Sequence, residues 1–274
     1  MSKSHYLELG ELKCEYLTFG TGKIPLLAFH GFGRHASDFE VFQELYGSKY
    51  TIYAFNLFHH GQSKYPAERV EQDTFTKHEF KELFEQFFVE KNISKVAVMG
   101  YSLGGKIALM FPEIFPENVE SIWLFAPDGI KKNFWYFVAS NTMIGRNVYK
   151  YFLENPKLFF AMVNGMHKTK LINDKIKKFA MNNMDEKEKR ELVYKVWLTF
   201  KDTNPNMKMV IQNINKRNIP VYQFFGKNDK VIKPKLGKWF STKINQKQNF
   251  HVLEAGHMLL TTRTVKVIDK LRIT

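Results

Sequence analysis

Lys95-Val-Ala-Val-Met-Gly-Tyr-Ser-Leu-Gly-Gly-Lys-Ile-Ala-Leu-Met110 is an apolar run of β-type residues that breaks at Gly100 and resumes with a helical pattern after Gly104. A strand that turns at once into a helix forces the residue at the corner, Ser102, into strained backbone angles, and only small neighbours such as Gly100 and Gly104 clear it. The hydroxyl of Ser102 is thereby pushed out of the sheet, which makes it the candidate catalytic nucleophile. Gly-x-Ser-x-Gly as a bare pattern recurs by chance, and the competing reading of Ser102 is a serine that merely caps the helix. The flanks favour the first reading: Val96 to Met99 precede the corner as strand, and Ile107 to Met110 follow it as helix.

Three further stretches lie in order around this one. His30-Gly-Phe-Gly33 follows a short apolar strand at Leu26-Leu-Ala-Phe29, Gly226-Lys-Asn-Asp229 follows a late strand that opens at Ile219, and Glu254-Ala-Gly-His257 follows a last strand at Asn249 to Leu253. With these four stations spanning nearly the whole chain, the sequence resembles the α/β-hydrolase fold superfamily. The resemblance implies an α/β fold whose mostly parallel central sheet is flanked by helices and carries a helical cap insertion. It assigns Ser102 as nucleophile, Asp229 as triad acid and His257 as base, in the chain order Ser, Asp, His. It also assigns the backbone N–H groups of Phe32 and Leu103 to the developing oxyanion. Asp128, at the end of the preceding strand, is the rival acid, because some relatives carry the acid there. His30 resembles a loop brace more than a base, and with Tyr101 and Lys106 it is a candidate for substrate contact.

Working outward, residues 5–19 alternate apolar and polar and predict an antiparallel hairpin. Thr51-Ile-Tyr-Ala-Phe55 is the next strand, and Asn56-Leu-Phe-His-His-Gly-Gln-Ser63 stands where relatives typically show Asp-Leu-x-Gly-His-Gly-x-Ser. Asn56 thus replaces the aspartate, and His59 replaces a glycine. The adjacent His59 and His60 lack any further ligand at a recognised spacing, so no metal is expected. From Thr74 to Lys91, Phe80, Leu83, Phe84, Phe87 and Phe88 form one helical stripe expected in the core. Val119 to Ala126 is a further buried strand. From Ile130 to Asn206 the strand–helix alternation stops and helical patterns follow one another, with Leu192, Val193, Val196, Trp197 and Phe200 on one face. The expected organisation is therefore a core of residues 1–129 and 207–274 and a helical cap of residues 130–206. The cap contains 15 Lys/Arg against 7 Asp/Glu, with aromatics at Phe134-Trp-Tyr-Phe137, Tyr149, Tyr151, Phe152, Phe159 and Phe160. Most of these are expected to hold the cap together and some to line a pocket.

The bulk numbers narrow the class. At 274 residues, 44% apolar and 25% charged, the chain suits one large α/β domain with an insertion. Cys14 is alone, so no internal disulfide forms, and neither a leader-like apolar segment nor a run of about 18 apolar residues is present. A cytoplasmic protein without stable membrane insertion is the expectation. The net charge of +14 raises nucleic acid or an anionic surface as partner. Lysine supplies 34 of the 41 positive residues, however, and arginine, which reads bases and phosphates bidentately, only 7. A solvated lysine-rich surface and no nucleic-acid partner are the expected reading.

The function expected from the residues and the resemblance is a serine hydrolase without metal or organic cofactor. Its small-molecule substrate would be largely apolar and carry a carboxylic ester or a related acyl bond (thioester, amide or C–C). Two other classes compete. Gly100 to Leu109 looks like the elbow of the menaquinone-pathway α/β-hydrolase that eliminates pyruvate. That lyase has arginine where this chain has Lys106, and the substitution loses bidentate carboxylate binding. The other alternative is a non-catalytic, ligand-binding α/β-hydrolase that keeps the triad only as scaffold.

Overall fold

The computed structural model describes residues 4–131, 140–172, 174, 177–178, 181 and 185–271. Alternation in the opening segment produces β1 (Ser4–Leu9) and β2 (Leu12–Phe19), paired antiparallel around Gly10, whose φ of 55° suits a residue without Cβ. The short apolar runs become β3 (Ile24–Phe29), β4 (Tyr50–Phe55), β5 (Val96–Tyr101), β6 (Val119–Phe125), β7 (Val221–Gly226) and β8 (Phe250–Leu253). They form one sheet in the order β1-β2-β4-β3-β5-β6-β7-β8. Pairing is antiparallel from β1 through β4 and parallel from there on. Every residue of β5 is buried, as a strand covered on both faces requires.

The Phe-rich stripe folds into α1 (Lys77–Glu90), opened by a capping box in which Thr76 and Glu79 satisfy each other's backbone N–H groups. Phe80, Leu83, Phe84, Phe87 and Phe88 are all buried, as the spacing predicts. Phe84 meets Phe29, Phe55 and Phe111 with ring centroids 5.0–5.7 Å apart, and Phe87 meets Tyr16, Tyr53 and Phe55 at 5.2–5.4 Å. Each such ring contributes about 1.5–3 kcal/mol by leaving water, so this face fixes α1 over β2, β4 and β3. On the same central strand, α2 (Leu103–Ala108) starts one residue after β5 ends, with Ser102 alone between them.

The helical stretch after β6 is an insertion before β7 and contains α3 (Met143–Glu154), α4 (Pro156–Lys168) and α5 (Lys187–Thr199). By compactness the chain divides into two units, Met1–Pro66 with Thr76–Lys131 and Thr203–Thr274, and Ala67–Phe75 with Lys132–Asp202. Within the second unit, Phe75 N–H donates to Thr199 O (3.1 Å), Tyr149 stacks on Tyr194 (5.2 Å), and Tyr194 Oη donates to Glu71 (3.3 Å). Val193, Val196 and Phe200 of α5 and its end are buried, but so are Tyr194, Leu198 and Thr199, so the helix is covered on more than the single face read from the sequence. Tyr151 is exposed rather than internal. Phe134-Trp-Tyr-Phe137 lies outside the described residues. The first unit closes with α6 (Met207–Arg217), α7 (Pro234–Lys243) and α8 (Thr262–Lys270). Among the described residues, no helix is long and apolar enough to cross a membrane.

Candidate active site

The corner of β5 and α2 carries the strain its sequence implies. Ser102 sits at φ 52°, ψ −115°, and the small residues around it make that conformation reachable. A Cβ on Gly104 would lie 1.9 Å from Phe29 O, and one on Gly100 would lie 2.4 Å from Gly104 O. Gly105 is equally constrained, with Pro127 Cβ 2.3 Å from where its own Cβ would stand. These contacts press α2 against the ends of β3 and β5 and lift the Ser102 hydroxyl clear.

The loop after β8 brings His257 to that hydroxyl. His257 Nε2 lies 3.1 Å from Ser102 Oγ, and Nδ1 lies 2.7 Å from Asp229 Oδ2. Asp229 is rigidly held: its Oδ1 accepts from the N–H groups of Val231 (2.8 Å) and Ile232 (2.9 Å), and its side chain is inaccessible to solvent. The two loops are tied by backbone bonds, Asn228 N–H to Ala255 O (3.0 Å) and Lys227 N–H to Leu253 O (2.8 Å). Gly226 permits this approach, since a Cβ there would stand 2.0 Å from Gly256 O. With Nδ1–H donated to the carboxylate, Nε2 presents its lone pair to Ser102 Oγ–H. Asp128 is engaged elsewhere: Oδ1 accepts from Gly129 N–H (2.8 Å), and its own N–H donates to Ser102 O (2.8 Å).

On the other side of Ser102 runs the loop from His30 to Gly33. A Cβ on Gly31 would stand 2.9 Å from Tyr101 Cε1 and 3.1 Å from Ser102 Cβ, so glycine allows the loop to close on the serine. Among the described residues, the N–H groups of Phe32 and Leu103 have no hydrogen-bond acceptor, and Leu103 is the first residue of α2, where N–H groups point outward unpaired. His30 is 0% exposed, and both ring nitrogens are committed. Leu57 N–H donates to Nε2 (3.0 Å), which requires that Nδ1 carry the proton and donate to Gly31 O (2.7 Å). Burial holds its pKa well below the usual 6.5. His30 thus braces the loop, with both ring nitrogens engaged by backbone groups. Tyr101, its ring 5.3 Å from that of His257, and Lys106 are both buried as well.

The loop that departs from the family pattern has its own logic. His59 stands at φ 68°, a left-handed backbone that favours glycine and that this chain holds with histidine. Asn56 is buried, with Oδ1 accepting from Ala36 N–H (2.8 Å) and Nδ2 donating to Glu15 Oε2 (2.7 Å). Glu15 Oε2 also accepts from Gln62 N–H (2.6 Å), and Oε1 from Ser4 Oγ (2.8 Å). Burial raises the Glu15 pKa, but these donors outweigh it and leave the carboxyl below its ordinary value. An aspartate at position 56 would set carboxylate against carboxylate. The amide is the residue that Glu15 demands. His60 is likewise structural, its Nε2 accepting from Gly33 N–H at 3.0 Å. Among the described residues no group of three or more His, Cys, Asp or Glu could hold a metal ion.

A profile of the alpha/beta hydrolase fold matches residues 24–264. The chain belongs to the alpha/beta hydrolase fold family. Lipase 3 of Moraxella sp. is 26% identical over 244 residues, which are 85% of this chain and 71% of that one. A Mycoplasma genitalium chain named as an esterase/lipase is 28% identical over 106 residues, 38% of each chain, so the match spans under two fifths of that relative. Among solved structures, a thermophilic esterase from Thermogutta terrifontis superimposes with a TM-score of 0.68 at 17% identity, over 98% of this chain and 97% of that one. At that identity the likeness is one of fold.

Proposed function

We propose that this hydrolase-fold chain is an esterase or lipase that cleaves a carboxylic ester of a small, largely apolar acyl substrate through Ser102, His257 and Asp229. The observation that carries the reading is the unbroken chain of hydrogen bonds from Ser102 Oγ through His257 (3.1 Å) to Asp229 (2.7 Å). Ser102 Oγ attacks the ester carbonyl carbon while its proton passes to His257 Nε2. Asp229 holds the imidazole in the receiving tautomer and stabilises the imidazolium that forms. The carbonyl oxygen, now negative, accepts from the N–H groups of Phe32 and Leu103. Collapse of the tetrahedral intermediate expels the alcohol, which takes the proton from His257, and water releases the acid from the acyl-enzyme by the same steps. Residues 130–206 serve as the cap subdomain of this enzyme. The esterase and lipase names of the Moraxella and Mycoplasma relatives support the ester reading over thioester, amide or C–C cleavage.

The test is a series of p-nitrophenyl esters of graded chain length, run beside a fluorophosphonate label on the intact protein. Turnover with labelling at Ser102 alone is expected. Labelling without turnover of any ester would replace the esterase reading with a lyase-type or other acyl chemistry, and absence of both would leave a ligand-binding scaffold.

A further inference from the structure

The helices α3 and α4 present an unusual surface. α3 has no buried residue, and along one side Ile144, Val148 and Tyr151 recur at intervals of four and three, with Ile144 77% and Tyr151 54% exposed. On α4, Leu158, Ala161 and Met162 follow the same periodicity, and Leu158 is 49% exposed. The two helices meet through Phe152 and Phe159, with ring centroids 5.5 Å apart, and each carries its own exposed apolar stripe. A globular protein ordinarily turns such a stripe inward, and a contiguous exposed apolar face marks a docking site.

The charges around it identify the kind of partner. Between Ser140 and Leu171 the charged residues are Arg146, Lys150, Lys157, Lys168 and Lys170 against Glu154 alone. A second copy of this chain would meet its own basic fringe, and the +14 of the whole molecule repels a like partner. An anionic lipid surface fits both features. The apolar side chains enter the boundary between headgroups and acyl chains, and the lysines bury their methylene stems while their ammonium groups stay among the headgroups. We propose that α3 and α4 form an interfacial docking face that binds the protein to anionic lipid surfaces in the plane of the bilayer, without spanning it. The proposal is independent of the triad, because docking is read without turnover.

Flotation with vesicles tests it, using wild type and Ser102→Ala alike, on equimolar phosphatidylcholine and phosphatidylglycerol and on phosphatidylcholine alone. Both proteins should float with the anionic vesicles at low salt and stay behind with the neutral ones. Each lysine near an anionic surface strengthens partitioning about fivefold, so Lys157→Gln/Lys168→Gln/Lys170→Gln should weaken it roughly a hundredfold. Ile144→Ser/Val148→Ser/Leu158→Ser should weaken it tenfold or more. These positions are exposed, and an unchanged melting temperature checks that both triple variants remain folded. Equal binding to neutral vesicles, no binding to either, or serine variants that float as well as wild type would each overturn the proposal. The last outcome would reduce the face to adsorption by charge, and no binding would leave it to an acidic protein.

Discussion

Of the turns that hold a side chain at positive φ, the chain supports those at Ser102 (52°) and His59 (68°) by different means. Around Ser102 it removes atoms: Gly31, Gly100, Gly104 and Gly105 leave room that a single Cβ at any of them would fill. Around His59 it adds hydrogen bonds, with Asn56 joined to Ala36 and Glu15, and His60 to Gly33. Strain at the first turn aims a hydroxyl. Strain at the second is held by the buried polar partners on both sides of the loop. The comparison implies that the first turn should fail in activity before stability, and the second in stability before activity.

The sharpest test is at Ser102. Ser102→Ala should lower kcat by about 10^4 or more, the loss expected of a triad nucleophile, with no core cavity and no appreciable change in melting temperature. Ser102→Gly should be equally inactive and melt higher, because a strained residue stores about 1–3 kcal/mol and glycine relieves more of that than it loses in chain entropy. A variant retaining a tenth of wild-type turnover would end the proposed mechanism. A Ser102→Gly protein that melts lower than wild type would mean the corner is unstrained and the comparison empty.

Next in size is the acid. Asp229→Asn should cost about 10^3–10^4 in kcat, since an amide beside Nδ1 favours the wrong imidazole tautomer. Asp128→Asn should change kcat by less than about tenfold, because its carboxylate serves Gly129 N–H and an amide oxygen can still accept that bond. Steady-state kinetics of the two variants decide between them, and the reverse order would transfer the acid to Asp128.

Much of this was legible from residue spacing. Glycines at Gly100 and Gly104, apolar runs of strand length and the Phe80 to Phe88 stripe each report a local constraint, so the sheet and the elbow follow from neighbours in sequence. Asp229 and His257 stand on loops after strands, and the same strand-by-strand order brings them within hydrogen-bond reach of each other. What spacing does not report is a partner 41 or 27 residues away: nothing in Asn56 announces Glu15, and nothing in His60 announces Gly33. His30 was legible as a histidine beside the loop but not as one whose two nitrogens are both occupied. That depends on where Leu57 N–H lands, which is a tertiary fact.

Stability tests of the second turn follow. Asn56→Asp removes the donor to Glu15 and adds a second buried carboxylate. It should therefore destabilise by about 2–4 kcal/mol at neutral pH, combining a lost charge-assisted hydrogen bond with like-charge repulsion. At about 2–4 °C per kcal/mol, the melting temperature should fall by roughly 5–15 °C while kcat of the folded protein changes little. Glu15→Gln added to Asn56→Asp should recover part of the loss, since donor and acceptor between the two side chains are then exchanged while Gln62 N–H loses its acceptor. Thermal melts of the two single variants and the double variant give the coupling, and additive losses would show that the pair is not what holds the turn.

The smallest expected effect concerns His60 and pH. Burial holds His60 neutral, with a pKa below its ordinary 6.5, and only the neutral ring offers Nε2 as acceptor to Gly33 N–H. As pH falls below about 6.5, the unfolded chain takes up a proton that the folded chain refuses. Stability therefore declines from neutral pH downward, until the folded-state pKa is reached. Glu15 does not enter this window, because its pKa is lowered from an ordinary 4.5 and it stays ionised down to about pH 5. His60→Gln keeps an acceptor for Gly33 but cannot be charged. At pH 7 it should melt about 2–4 °C below wild type through imperfect replacement of one hydrogen bond worth about 1 kcal/mol. Between pH 7 and pH 5 the gap should narrow, because wild type alone loses the His60 contribution while both proteins lose that of His30, which burial also holds neutral, to the same extent. Scanning calorimetry of both proteins at the two pH values reads the gap directly. A gap that stays constant or widens on acidification would mean that His60 is not held neutral for the sake of Gly33, and that the second turn draws its support from Asn56 and Glu15 alone.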